Sequence, residues 1–198
     1  QEAARRDDRA AMLEHGHAGL ASAIDAGVVW GEVYTRPALA QALFLGGDEA
    51  GARRELGQAR RIAEAIGCSN ALYYIHELEA QFAAMRGDRT AQLASIARMF
   101  EVMRAQGFSN SAWWRDDAMA HACRLALENA IEPDFVRGLI RLRGLRPDGP
   151  AVRLEHWPWA VRVRTLGDFA IELDGEPLRF TVKVQKRPLA LLKALVAF

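Results

Sequence analysis

The sequence predicts a mainly α-helical chain: a solenoid of two-helix repeats, followed by a small antiparallel β-sheet and one further helix. Three observations carry this expectation. Helix-end markers recur at a spacing of 40 residues through the first two thirds of the chain. Between them the apolar residues keep 3–4 spacing, the period of a helix with one buried face. From Val161 the period changes to strict alternation, the signature of half-buried strands.

The repeat organises residues 1–143. Gly47-Asp48 returns as Gly87-Asp88, and Gly67, Ser69 and Asn70 return as Gly107, Ser109 and Asn110. Tyr73-Tyr74 returns as Trp113-Trp114, while Asp8 and Gly27 mark a weaker upstream copy. Asp48 and Asp88 fall where a helix should begin, because an Asp side chain accepts hydrogen bonds from unpaired backbone N–H groups. Gly67 and Gly107 fall where that helix should end in a left-handed residue. Ser69-Asn70 and Ser109-Asn110 are then expected to cap the return helices. Leu56, Ala59, Ile62, Ala63 and Ile66 form one apolar stripe. The expected helices are 2–26, 31–45, 48–66, 70–86, 88–106, 111–129 and, after Pro133, 133–143. A helix pair cannot bury its apolar face alone, so neighbouring pairs must stack. The 40-residue unit with glycine at the inter-helix turn resembles a longer variant of the tetratricopeptide class. It departs from the usual 34-residue repeat and lacks the full Trp/Leu-Gly/Tyr pattern.

The text changes at residue 144. Arg146-Pro147-Asp148-Gly149-Pro150 is turn chemistry, so 144–160 reads as a linker. Val161 to Leu166 alternates, as do Phe169, Ile171 and Leu173. Asp174-Gly175 is a hairpin signal, and a third strand is expected over Leu178 to Val182. Pro188 is expected to open a helix at its first position, with Leu189, Leu192, Leu195 and Val196 as its buried face.

Residues 161–198 resemble the opening of the winged-helix domain of bacterial transcriptional activators of the OmpR type. More narrowly, they resemble MalT-like and antibiotic-regulatory-protein-like activators, which carry tetratricopeptide-like helices. Leu166 to Phe169, Asp174-Gly175-Glu176-Pro177-Leu178 and Lys186-Arg187-Pro188-Leu189 carry the match, which covers about 40 residues strongly. The resemblance implies a fragment of a transcriptional regulator whose DNA-reading helix lies beyond Phe198. It also implies that the helical repeats bind a protein or small-molecule effector, or form a homo-oligomer. Lys183, Lys186 and Arg187 then stand where they touch DNA phosphates, which adds affinity without sequence information. Exposed charges of this kind also serve simply as a solvated loop. The alternative for the whole chain is a protein-interaction scaffold with no DNA contact.

Composition is that of an ordinary globular protein. The net charge is +1, but the last 22 residues hold five basic side chains and no acidic one. Cys68 and Cys123 are far apart, which points to a reduced cytoplasmic setting. No apolar stretch approaches the roughly 20 residues needed to cross a bilayer. Catalytic and metal constellations are lacking, so no enzyme and no cofactor is expected. His15 and His17 lie about 200° apart on a helix. His76-Glu77 has no second histidine, and His121 with Cys123 has no ligand partner. Gly46-Gly47 lacks the lysine of a phosphate loop. Tyr73, Tyr74, Trp113 and Trp114 either line a groove that grips an effector or plug the space between helix pairs. Adjacent residues on a helix point about 100° apart, and Tyr74 and Trp114 are the expected groove members.

Overall fold

The computed structural model describes residues 9–149, 154, 156–165, 169–178 and 186–197, without side chains for 9, 186–189, 196 and 197. Among these residues the chain is mainly helical, with a small three-stranded antiparallel sheet. The helices are α1 (Arg9–Asp25), α2 (Val29–Leu45), α3 (Glu49–Ile66), α4 (Ser69–Met85), α5 (Arg89–Gln106), α6 (Asp116–Glu128), α7 (Pro133–Arg143) and α8 (Lys186–Ala197). The strands are β1 (Val161–Arg164), β2 (Ala170–Leu173) and β3 (Glu176–Pro177). Two compact units divide the chain, the first ending at Leu154.

In the first unit the turns follow the expected chemistry, with a finer period than 40. Gly27, Gly47, Gly67, Gly87 and Gly107 stand 20 residues apart, and all five have positive φ. After each, a backbone bond closes the turn in the same way: Val28 N to Ala23 O, Asp48 N to Leu43 O, Cys68 N to Ala63 O, Asp88 N to Ala83 O and Phe108 N to Met103 O, all within 2.8–3.0 Å. This bond satisfies one of the carbonyls a helix end leaves unpaired. The Asp48 side chain accepts from Gly51 N at 2.7 Å, and the Asp88 side chain from Ala91 N at 3.0 Å. Both act as the caps the sequence predicts. Ser69 does not cap: it is already helical, and Cys68 occupies the cap position with no side-chain bond. The start expected at residue 2, and Asp8, lie outside the described residues.

Each helix from α1 to α5 packs on the next, and α2 also packs on α4. Phe44 and Phe82, near the ends of α2 and α4, stack with centroids 4.0 Å apart. Tyr34 and Tyr74, near the starts of the same helices, both pack on Trp113. Contacts at both ends require α2 and α4 to run parallel, side by side. Helix α4 is therefore surrounded, and it buries Tyr73, Tyr74, Ile75, His76 and Leu78 in near-continuous succession, the pattern of a core helix rather than a surface one. Ala40, Ala42, Ala80 and Ala83 are buried at these contacts. Cross-helix ion pairs sit beside the apolar contacts: Arg36 meets Glu55 at 2.7 Å, and Arg60 meets Glu79 at 2.5 Å.

The repeat breaks after α5. Instead of a helix from 111, residues 108–115 form an irregular segment, and α6 begins only at Asp116. Ser109 and Asn110 cap nothing. Part of the expected linker is fastened to this unit. Leu145 is buried, and Asp148 accepts from Arg124 Nε at 2.7 Å and lies 2.6 Å from His121 Nδ1.

The second unit carries the sheet in the order β1-β2-β3. Val161 faces Leu173 and Val163 faces Ile171, while Arg162 and Arg164 flank Glu172 on the other side. Asp174 and Gly175 have φ of 50° and 87°, the double positive φ of a two-residue type I′ hairpin. Pairing continues to Leu178, whose N–H donates to Ile171 O at 2.8 Å. The third strand expected to reach Val182 falls beyond residue 178 outside the described residues. Helix α8 starts at Lys186, so Pro188 is its third residue rather than its first. Leu195 is 70% exposed, against the expectation that it is buried, while Leu192 is half-buried.

Candidate functional site on the face shared by helices α2 and α4

The 108–115 segment places the two tryptophans on different surfaces. On a helix, adjacent side chains are fixed about 100° apart; the irregular backbone removes that limit. Trp113 lies over the starts of α2 and α4. Its ring stacks on Tyr74 with centroids 4.4 Å apart and planes 9° apart, and it meets Tyr34 at 5.2 Å. Trp114 turns toward α7, where the Arg143 guanidinium sits 4.8 Å from its ring and its indole N–H donates to Asp116 at 2.6 Å. Tyr74 is buried, and its aromatic partner is Trp113, while half-buried Trp114 belongs to another surface.

Beneath this stack lies a polar cluster. Tyr73 is 1% exposed, yet its hydroxyl has no hydrogen-bond partner of proper geometry among the described residues, and the same holds for Glu77 Oε2 and Ser111 Oγ. Ser111 and Glu77 are near enough to shift the ionisation of Tyr73, and Tyr73 that of Glu77. Burial pushes Glu77 up to about 7, although the Tyr73 hydroxyl and the Arg115 charge both favour its ionised form. Burial and the neighbouring Glu77 raise Tyr73, and the same two causes raise Tyr74 to about 12. Burial and a 3.4 Å contact with Cys68 Sγ likewise raise Tyr34 to about 12. Burial alone raises the Cys123 thiol to about 12, which leaves it inert as a nucleophile.

Trp113 thus fills an aromatic slot lined by Tyr34 and Tyr74, with an acid and two hydroxyls close by. Sequence reasoning named Tyr74 but missed Glu77 and Ser111. A signal existed: Glu77 stands four residues after Tyr73, so it shares a helix face already assigned to packing.

Lys183 lies outside the described residues, and Lys186 and Arg187 stand in the first turn of α8. Among the described residues, no group of three His, Cys, Asp or Glu side chains is arranged to hold a metal ion, and no helix is long and apolar enough to cross a membrane. The fold and the slot thus define a mainly helical chain with a small sheet-bearing unit. No family model, curated protein or solved structure matches it.

Proposed function

We propose that the chain is part of a bacterial transcriptional regulator in which a tetratricopeptide-like solenoid controls a winged-helix DNA-binding domain. The observation that carries this reading is the order of parts: paired helices, then a separate unit in which a β1-β2-β3 antiparallel sheet is followed by a helix. Two of the segments bearing the resemblance support the reading: Asp174-Gly175 forms the hairpin, and Lys186-Arg187-Pro188-Leu189 lies in the first turn of α8; residues 166–168 lie outside the described residues. In this reading the helical unit binds a protein or small effector, or a second copy of itself, in the cytoplasm. It uses no cofactor and performs no catalysis. Lys183, Lys186 and Arg187 contact phosphates, which adds affinity without sequence information.

The second reading, an interaction scaffold without DNA binding, is favoured by one feature. The aromatic slot and polar cluster lie wholly in the helical unit and need no nucleic acid. Trp113→Ala in the full-length protein separates the two, because half-buried Trp113 is the ring that packs on Tyr34 and Tyr74. The regulatory reading expects a changed output from a promoter-driven reporter. An unchanged reporter with altered protein partners favours the scaffold.

A further inference from the structure

We propose that residues 108–115 form a strap that covers the aromatic slot between α2 and α4 while Glu77 is protonated, and loosens when Glu77 is charged. The first support is the broken repeat. Where 40-residue spacing calls for a helix, the chain instead lays an irregular segment across two helices and inserts Trp113 against Tyr34 and Tyr74. The second support is the cluster beneath the strap. Ser111 of the strap and Tyr73 and Glu77 of α4 each keep a buried polar atom without a well-formed partner. The closed strap thus gathers these polar groups out of water, where an uncompensated charge is costly.

The groups facing Glu77 explain the direction. From α4 these are Tyr73 and Tyr74, which offer hydroxyls and no positive charge, and Cys123 of α6 faces Tyr73. The strap supplies Ser111 and Arg115, but Arg115 is exposed and already paired with Asp117 at 2.5 Å. Neutral Glu77 suits this enclosure, whereas the carboxylate gains water by lifting the strap. Glu77 ionises at about 7 with the strap closed. An acid returned to water ionises near its ordinary value, so opening is favoured about tenfold per pH unit between the two values, and levels off above the higher one.

Hydrogen exchange of the 108–115 amides, corrected for intrinsic rates, tests this on the whole chain; Trp114 N–H, which donates to Ser111 O at 3.2 Å, is the best reporter. Protection should fall on the order of 50- to 100-fold from pH 5 to pH 8 in the wild type and stay constant in Glu77→Gln. A flat wild-type profile, or an equal slope in Glu77→Gln, overturns the proposal. Should Glu77→Gln fail to fold, the Glu77 carboxyl can be titrated by NMR in the wild type and in Trp113→Ala. Removing the strap's anchor should bring its ionisation down toward the ordinary carboxylate range, and an unchanged value overturns the proposal. Strap opening is observed without any partner, so it stands or falls separately from the regulatory reading.

Discussion

A carboxyl group that ionises at about 7 instead of 4.5 makes folding depend on pH. Folded Glu77 holds its proton more tightly than unfolded Glu77, so unfolding releases a proton between these two values. Stability therefore falls as pH rises through that window and is level above it. One pKa unit corresponds to about 1.4 kcal/mol, which bounds the effect at about 3 kcal/mol. Urea denaturation of Glu77→Gln should match the wild type at pH 5 and exceed it at pH 8; an equal difference at both values would contradict the assignment. Glu79 works in the opposite sense. Burial opposes its ionisation, but His76 and Arg60 hold it below the usual carboxylate range, so its contribution is lost in acid. The caps are simpler. Asp48→Ala and Asp88→Ala should each cost about 1 kcal/mol in the same measurement. These caps were legible in the sequence because a cap acts within three residues. Glu77 was not, because its desolvation is set by a segment more than 30 residues away.

Elements were legible wherever their ends are set locally. Helices α2 to α5 fall close to the expected spans because an Asp or Gly marks nearly every boundary. Gly67 has φ of 67° at the end of α3, where any side chain is strained. Gly67→Ala should lower stability by about 1 kcal/mol, checked by thermal unfolding. No loss would mean that the turn can adopt another conformation. The return helix expected from residue 111 failed for a tertiary reason. Two adjacent tryptophans find partners on opposite sides, Trp113 on Tyr74 and Trp114 under Arg143, and a helix cannot point neighbours that way. The sheet was legible from alternation and from Asp174-Gly175, while the face of α8 was not. A 12-residue helix rich in leucine does not reveal from its own pattern which leucines are covered, and Leu195 is exposed.

At the scale of the molecule, α4 holds the helical unit together, because it touches α2, α3 and α5. Stacked helix pairs share stability mainly with their neighbours, so Phe82→Ala, which removes the stack on Phe44, should loosen α1 and α2 before α5. Hydrogen exchange resolved by segment checks this, and uniform loosening would contradict it. The sheet and α8 form the other unit, where the resemblance to winged-helix activators resides. The most direct test of the regulatory account is fluorescence anisotropy of labelled promoter duplex at two salt concentrations. It compares residues 1–198 with a longer chain that carries a complete winged-helix domain. The account predicts selective, salt-sensitive binding by the longer chain, with only weak, unselective binding by residues 1–198. Absence of binding by both would contradict DNA recognition, and tight selective binding by residues 1–198 would contradict the place assigned to the reading helix.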